Sequence, residues 1–597
     1  MILNALCDYY DILAEDSEYN ISPFGFKNTD FSYVAIISEE GDLRAIHFLV
    51  DPITGRGKSA IMPVDMKISG IASSPVCDNF AYIFGISVKD GVKQLEEKKF
   101  TAAKDLHLSM FDKSHSKETK AIVNFFKKWD INKAWENEII LQHYIEPKKE
   151  KEKVKDFQGN IVFKLSLDAP YFHECDEIKK IWMDENDKKE RLKNERSAQC
   201  SITGEFGPIA KLHYQLKGVK GASSMGTSLV CFNKDSDLSY NLEQSYNSAV
   251  SQKAMFKYST ALKYMLDGKT QKMFIGDDTA VFWASSTNTV YTDIFSGMLD
   301  IEDEDVKEED RKVKDEETEA IIKTVLKNGT KGLYVKPELK TNVNFFVLGL
   351  APNAGRVSVR YFMRDSFGNF CEKIKIHYDD IGIVGRKEFL KISNLLSATV
   401  SSKSRDKKIN PLLGGAVTTA VLSGNIYPQI LFNQAILRAK TEDKLFQNHA
   451  AAIKGYLVRK SRLLYKKEDE LHMYLNEQSV NTAYVLGRTF AVLEMIQKKA
   501  LGDKINTTIK DKYFASACSN PSLVFPSLIK LAQYHLAKIE GNYFKNLLTE
   551  CLSLIEGDTF PKAMNMDSQG RFILGYYQQT QKLYEKRNKN EINKEEE

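Results

Sequence analysis

Residues 450–467 read "AAAIKGYLVRKSRLLYKK". Wound at 3.6 residues per turn, Ile453, Leu457 and Leu464 share one face, while Lys454, Arg459, Lys460, Arg462, Lys466 and Lys467 crowd the remainder. The spacing predicts a helix with one buried stripe and a strongly basic opposite side. The same period recurs in "PSLIKLAQYHLAKIE", where Leu528, Leu531, His535 and Ile539 repeat at helical spacing. Gly487, between Leu486 and Phe490, would let a neighbouring helix come close. From about 405 onward this periodicity dominates, and it predicts a helical bundle that ends in the polar tail "YEKRNKNEINKEEE".

Toward the N-terminus the period changes. "FSYVAIIS", "LRAIHFLV" and "NFAYIFGI", between 31 and 86, are short β-branched and aromatic runs separated by Gly, Pro and Asp, and they predict strands. "ETKAIVNFFKKW" predicts an amphipathic helix with Ile122, Phe125 and Phe126 on one face. "NIVFKLSLD", "NVNFFVLGLAP" and "RVSVRYFMRD" predict further strands, and "KKIWMDENDKKERLKNERSAQC" a polar helix. Gly276-Asp277-Asp278 between two apolar runs is a hairpin signal. The charge runs 146–160 and 300–320 have no apolar period and predict exposed connectors. The expected fold is a multi-domain α+β protein: a β-rich N-terminal part over 1–145, its mixed continuation over 146–404, and a helical bundle over 405–597.

The chain of 597 residues is 43% hydrophobic and 27% charged, an ordinary globular composition with ample core. Its formal net charge is only +4, so any nucleic-acid surface must come from local clustering of cations. The opening "MILNALCDYYDILAEDSEY" lacks a basic leader region and reads as an amphipathic helix, and no apolar run approaches membrane-spanning length. Eight scattered cysteines without a C-x-x-C pair argue against a zinc ribbon or a disulfide framework and suit a reducing cytoplasm.

The search for chemistry yields near misses. "DPITGRGKSA", 51–60, ends like a phosphate-binding loop, but the glycine needed at 52 is Pro52, which lacks the amide donor. His173-Glu174-Cys175 has no second ligand pair at usable spacing. Asp277-Asp278 and Asp379-Asp380 could hold a magnesium ion, although aspartates in a hairpin turn are favoured for backbone reasons. His535 lies on an apolar stripe, as a core histidine does. With no nucleophile elbow, metalloprotease helix or dinucleotide fingerprint, the sequence predicts a protein that binds rather than reacts, and no metal or cofactor is expected.

"SITGEFGPIAKLHYQLKGVKGASSMGTSLVCFN", 201–233, followed by "FKYSTALKYMLDGK" and "IGDDTAVFWAS", resembles the large subunit of the type I-C CRISPR Cascade surveillance complex. "SGIASSPVCDNFAYIFGI" at 69–86 extends the resemblance, as do "NTAYVLGRTFAVLEMIQ", "INTTIKDKYFASACSNPSLVFPSLIKLAQYHLAKIE" and "RFILGYYQQ" in the C-terminal half. The charged stretches 146–160 and 300–335 resemble nothing specific. The resemblance implies a non-catalytic subunit that checks a short motif beside the target (the PAM), helps open the duplex and lies near the displaced strand, while guide RNA pairing reads the sequence. The implied partners are the guide-RNA-bearing backbone subunits, the repeat-processing subunit, a small subunit, double-stranded target DNA with its displaced strand, and a recruited helicase-nuclease. The competing reading is a metal- or ATP-dependent nuclease or NTPase using Asp277, Asp278 or Lys58; a pure scaffold is the third.

Within that resemblance, Arg56 and Lys58 in the basic glycine loop are expected on a DNA phosphate, and Lys67 and Ser69 on phosphate or base edge. Asn79 carries both donor and acceptor for a minor-groove edge. Ser223, Ser224 and Thr227 around Gly226 form a small polar loop able to approach a backbone. Lys454, Arg459, Lys460 and Arg462 are expected to follow the displaced single strand. The small subunit of the family can start inside the large-subunit gene. In "KKEDELHMYLNEQ", codons for Lys467-Glu468-Asp469 can form a ribosome-binding sequence ahead of Met473, giving a product over 473–597.

Overall fold

The strand Tyr33–Ile37 is buried on both sides, and its alternation explains how the N-terminal part is layered. Tyr33, Ala35 and Ile37 join a large core with Phe80, Phe84, Phe125 and Trp182, whereas Val34 and Ile36 join a smaller one with Phe31, Met62 and Cys77. In the computed structural model, which describes all residues except 20, 51–56, 65–70, 90–91, 144–158, 193–195, 300–315, 337, 354, 405–407, 443, 503–505, 556, 558 and 596–597, this strand is central in a four-stranded sheet. It pairs antiparallel with Leu43–Phe48 and parallel with Asn160–Lys164, whose other edge takes Cys77–Asn79 antiparallel. Helices Glu97–Phe111 and Lys117–Lys128 supply Phe100, Met110, Ile122 and Phe126 to the larger core. A separate antiparallel pair joins Phe26–Phe31 to Lys58–Pro63.

A second body is built on a four-stranded antiparallel meander of Lys272–Ile275, Asp278–Ala284, Asn344–Asn353 and Arg356–Ser366. Its first turn is the expected hairpin, with Gly276 at φ 62°. Phe282 and Phe345 on the sheet, Phe370 on helix Phe367–Ile381, and Phe490 and Phe572 on helices Thr482–Leu501 and Met566–Glu595 belong to one continuous core. Gly487 makes the expected close approach: a Cβ there would lie 1.9 Å from the Phe572 carbonyl oxygen, and one at Gly575 would lie 2.1 Å from that of Tyr484.

The α+β class holds, with strands concentrated toward the N-terminal half and helices toward the C-terminus. The division of the chain lies elsewhere than expected: residues 1–216 with 228–264 form one unit, and 217–227 with 265–597 the other. No boundary falls at 145, because Asn160–Lys164 completes the sheet of Tyr33–Ile37. None falls at 404, because the meander and the helices share apolar side chains. "NFAYIFGI" is also corrected: Phe80–Ile83 is a helical turn, capped by Asn79, before the strand Ile86–Lys89. Phe80, Ala81, Ile83 and Phe84 are all buried, so the alternation that would mark a half-exposed strand is absent. Residues 146–158 of the charge run 146–160 and most of 300–320 lie outside the described residues; Asn160 begins the strand Asn160–Lys164, and Glu316–Asn328 is a helix.

Candidate nucleic-acid surfaces

Lys58 opens the strand Lys58–Pro63 opposite Phe31 and is exposed, while the next residue, Ser59, donates its hydroxyl to Asp30. The preceding glycine is required by packing: a Cβ on Gly57 would come 2.3 Å from the Phe31 carbonyl oxygen. Arg56, Lys67 and Ser69 lie outside the described residues. The chain is again held at 73–79. There the Ser73 hydroxyl and the amides of Ser74 and Asn79 all donate to the carboxylate of Asp78, which burial pushes up to about 6.

Val76 sits at φ 53°, a left-handed conformation that a β-branched residue rarely adopts. Its amide donates to His107 Nε2 at 3.0 Å, and His107 Nδ1 donates to the Ala103 carbonyl at 2.7 Å. The ring stacks on Phe126 at 4.5 Å, and burial pushes its pKa down to about 4, so it stays neutral with one donor and one acceptor nitrogen. This clamp holds the strained turn beside Asn79. The sequence carried no signal for it, because position 107 is one polar residue on an otherwise apolar helix face. Asn79 itself is half-buried, and its Oδ1 accepts from the Ala81 amide at 3.0 Å as a helix cap, so the acceptor half of its amide is already engaged.

In the second unit, the segment 217–227 is pinned to the hairpin through Lys220, whose amide donates to Thr279 Oγ1 and whose ammonium donates to the Gly276 carbonyl. Ser223 and Ser224 are exposed in a turn closed by the Gly226 amide to the Ser223 carbonyl, with Met225 projecting to solvent. Thr227 is corrected: it is fully buried and presents nothing to a ligand.

The basic helix is the larger correction. Helix Gln447–Leu464 forms as expected, yet its cations are taken up by acids and carbonyls from other elements. Arg459 is 0% exposed; it donates to Asp380, to the Ala420 and Asn425 carbonyls, and lies 4.2 Å over the Tyr427 ring. Lys454 is buried on the carbonyls of Asp379 and Asp380, at the C-terminal end of helix Phe367–Ile381, where the helix dipole favours a cation. Arg462 grips Asp380 through two bonds of 2.8 Å, and Lys460 bonds Asp567 at 2.6 Å. The expected strand-following face is therefore withdrawn into the fold at Lys454 and Arg459, and its Arg462 and Lys460 are ion-paired. Asp380, flagged in the sequence as half of a possible metal pair, is the hub of this cluster. Asp277 is exposed in its turn, whereas Asp278 is 1% exposed, 3.7 Å from Arg360, and pushed up by burial to about 6.

Residues 6–584 match the family model described as CRISPR-associated protein (Cas_Csd1), and the chain belongs to that family. It is thus a CRISPR-associated subunit of the Cascade type. No curated protein matches it. No described helix is long and apolar enough to cross a membrane.

Proposed function

We propose that this chain is the non-catalytic large subunit of a type I-C CRISPR interference complex. In this reading it recognises the PAM, helps part the duplex, holds the displaced strand and receives the helicase-nuclease that cuts. The observation that carries the reading is family membership over nearly the whole chain. The N-terminal unit supports it with an exposed Lys58 and with a clamped, strained turn at Val76 just before Asn79. Lys58 then holds a phosphate, which positions without specifying, and Asn79 offers its amide N–H to a base edge. The partners are the guide-RNA-bearing backbone, the repeat-processing and small subunits, and target DNA. The C-terminal helices serve a second time as the small subunit when translation starts at Met473.

The test uses the assembled complex and duplexes with correct or altered flanking motif. Asn79→Ser keeps a capping acceptor and removes the amide donor. Its ratio of correct to altered affinity is expected to fall about tenfold, as for one lost base contact, with unchanged thermal unfolding. An unchanged ratio removes Asn79 as the reader, and absence of discrimination by the unaltered complex overturns the proposal. Magnesium-dependent cleavage by the purified chain would favour the enzyme reading through Asp277 and Asp278, whose inner carboxyl is held toward its neutral form.

A further inference from the structure

A cavity of about 210 Å³ in the second unit is used by none of the surfaces above. At roughly 30 Å³ per water it holds about seven, the room of one flat ring system. Glu442, Phe446, Asn448 and His449 line it, together with Ser402 from the segment after helix Ile392–Ser397. Glu442 is buried, and its carboxylate accepts from the Ser402 amide at 3.0 Å and from the Ser402 hydroxyl. Burial raises this carboxyl, but the Ser402 bonds more than offset that, so it stays ionised and below its ordinary range. An ionised carboxylate only accepts, at about four lone-pair positions, and here some stay unfilled. The Lys510 ammonium donates to the main-chain carbonyl of Glu442, and no cation pairs with the carboxylate among the described residues. His449 is 3% exposed, and its Nδ1 accepts the Phe446 amide at 3.3 Å. Burial pushes its pKa down to about 4, so near pH 7 the ring is neutral and carries its one proton on Nε2. That nitrogen has no hydrogen-bond partner among the described residues, and unlike His213 Nε2 it is not sealed from water. Asn448 braces the wall, its Oδ1 accepting the His449 amide and its Nδ2 donating to Ser397. Phe446 is 47% exposed, with its ring centroid 5.8 Å from that of His449. The cavity thus offers an anionic acceptor, a neutral N–H donor and an aromatic ring.

We propose that this cavity receives a single unstacked guanine. The inference rests on the reading of the chain as a nucleic-acid-handling subunit. Guanine carries two neighbouring donors, N1–H and the N2 amine, beside the acceptor O6. The donors meet the Glu442 carboxylate in charge-assisted bonds, and O6 takes the His449 Nε2–H. The base lies against Phe446, as unstacked bases lie on aromatic side chains. Adenine and cytosine bring a single amino donor group, which leaves part of the carboxylate unmet. Uracil and thymine set an oxygen on each side of their N–H, and one of these would face the anion. Lys403 and Lys444, both exposed, supply positive charge for the phosphate that stays outside. The guanine belongs to the unpaired part of the guide RNA or to the displaced DNA strand.

The experiment replaces each guanine of those two strands singly by inosine, which lacks the N2 amine and keeps O6. The guide-RNA arm reads the affinity of the chain for the guide-loaded backbone, and the displaced-strand arm reads the affinity of the assembled complex for target DNA. One position, in one arm, is expected to lose about tenfold, the size of one base-edge contact. Glu442→Gln keeps an acceptor for Ser402 and removes the charge. In that variant the same position is expected to become insensitive to inosine. As a second measurement that needs no variant, photoreactive 6-thioguanine at that position should cross-link to Phe446 or His449, and this decides the matter if the variant does not assemble. Intact binding with no inosine-sensitive guanine, sensitivity unchanged by Glu442→Gln, or cross-links that avoid the cavity overturns the inference. Complete failure of the complex to bind guide RNA or target DNA overturns the functional reading, and this inference with it.

Discussion

His107 stays neutral because burial strips water from its ring, and that makes the hold on Val76 depend on pH. Its folded pKa, about 4, lies below the ordinary 6.5, so the unfolded chain binds the proton first. The stabilising contribution is complete above pH 6.5 and is lost as pH falls toward 4. His173, His213 and His449, also lowered by burial to about 4, act in the same sense. Asp78 and Asp278, raised to about 6, oppose them: their contribution is complete below 3.8 and lost as pH rises through 6. With histidines in the majority, urea unfolding should show falling stability from pH 6.5 to 4. His107→Gln keeps an acceptor for the Val76 amide but cannot be protonated there. Its slope in mid-window is expected to be shallower by about 1.4 kcal/mol per pH unit, and an unchanged slope would remove the clamp as a titrating group.

At the scale of elements, the crossing of Thr482–Leu501 with Met566–Glu595 is made possible by Gly487 and Gly575. Phe490, Phe514, Phe525, Phe572 and Tyr576 pack around it, all within residues 473–597. A product starting at Met473 would keep this aromatic core. It would lose the seam where Gly570 meets Phe432, Ile453 and Leu457, and the ion pairs of Lys460 with Asp567 and Arg571 with Asp469. The unmodified gene is expected to yield a short second polypeptide beginning at Met473 that joins the complex. Synonymous recoding of 467–469 should abolish it while leaving every amino acid unchanged. The same small band from the recoded gene, or none from the native one, shows that this start is not used.

For the whole molecule, a net charge of +4 spread over 597 residues leaves no global field to attract DNA. The DNA binding proposed for it would then come from a few exposed cations whose counterions are released on contact. The assembled complex should therefore lose affinity with rising salt, and Lys58→Ala should weaken correct and altered duplexes alike. It should also make the plot of log affinity against log salt shallower by about one. A slope identical to wild type would show that Lys58 meets no phosphate. Arg459, one of the cations of the sequence's basic helix, is already committed to Asp380 inside the fold.

Local composition and period were enough to read the strands Tyr33–Ile37 and Leu43–Phe48, the hairpin at Gly276 and the helix Gln447–Leu464, because apolar runs, turn residues and helical period are local properties of the chain. Gly487 was legible for the same reason: a glycine on an apolar helical face has one packing use. The family was legible from the ordered set of segments. Tertiary structure decided what depends on partners distant in sequence. Phe80–Ile83 winds into a helical turn that buries Phe80, Ala81 and Ile83, so no alternation marks it as a strand. The cations of the Gln447–Leu464 helix looked unpaired because Asp380 and the carbonyls that receive them come from other elements. The clamp of His107 on Val76 spans 31 residues, and the cavity wall gathers side chains from 397 to 449. Charge balance and burial are properties of neighbours in space, and a linear pattern of residue types does not contain them.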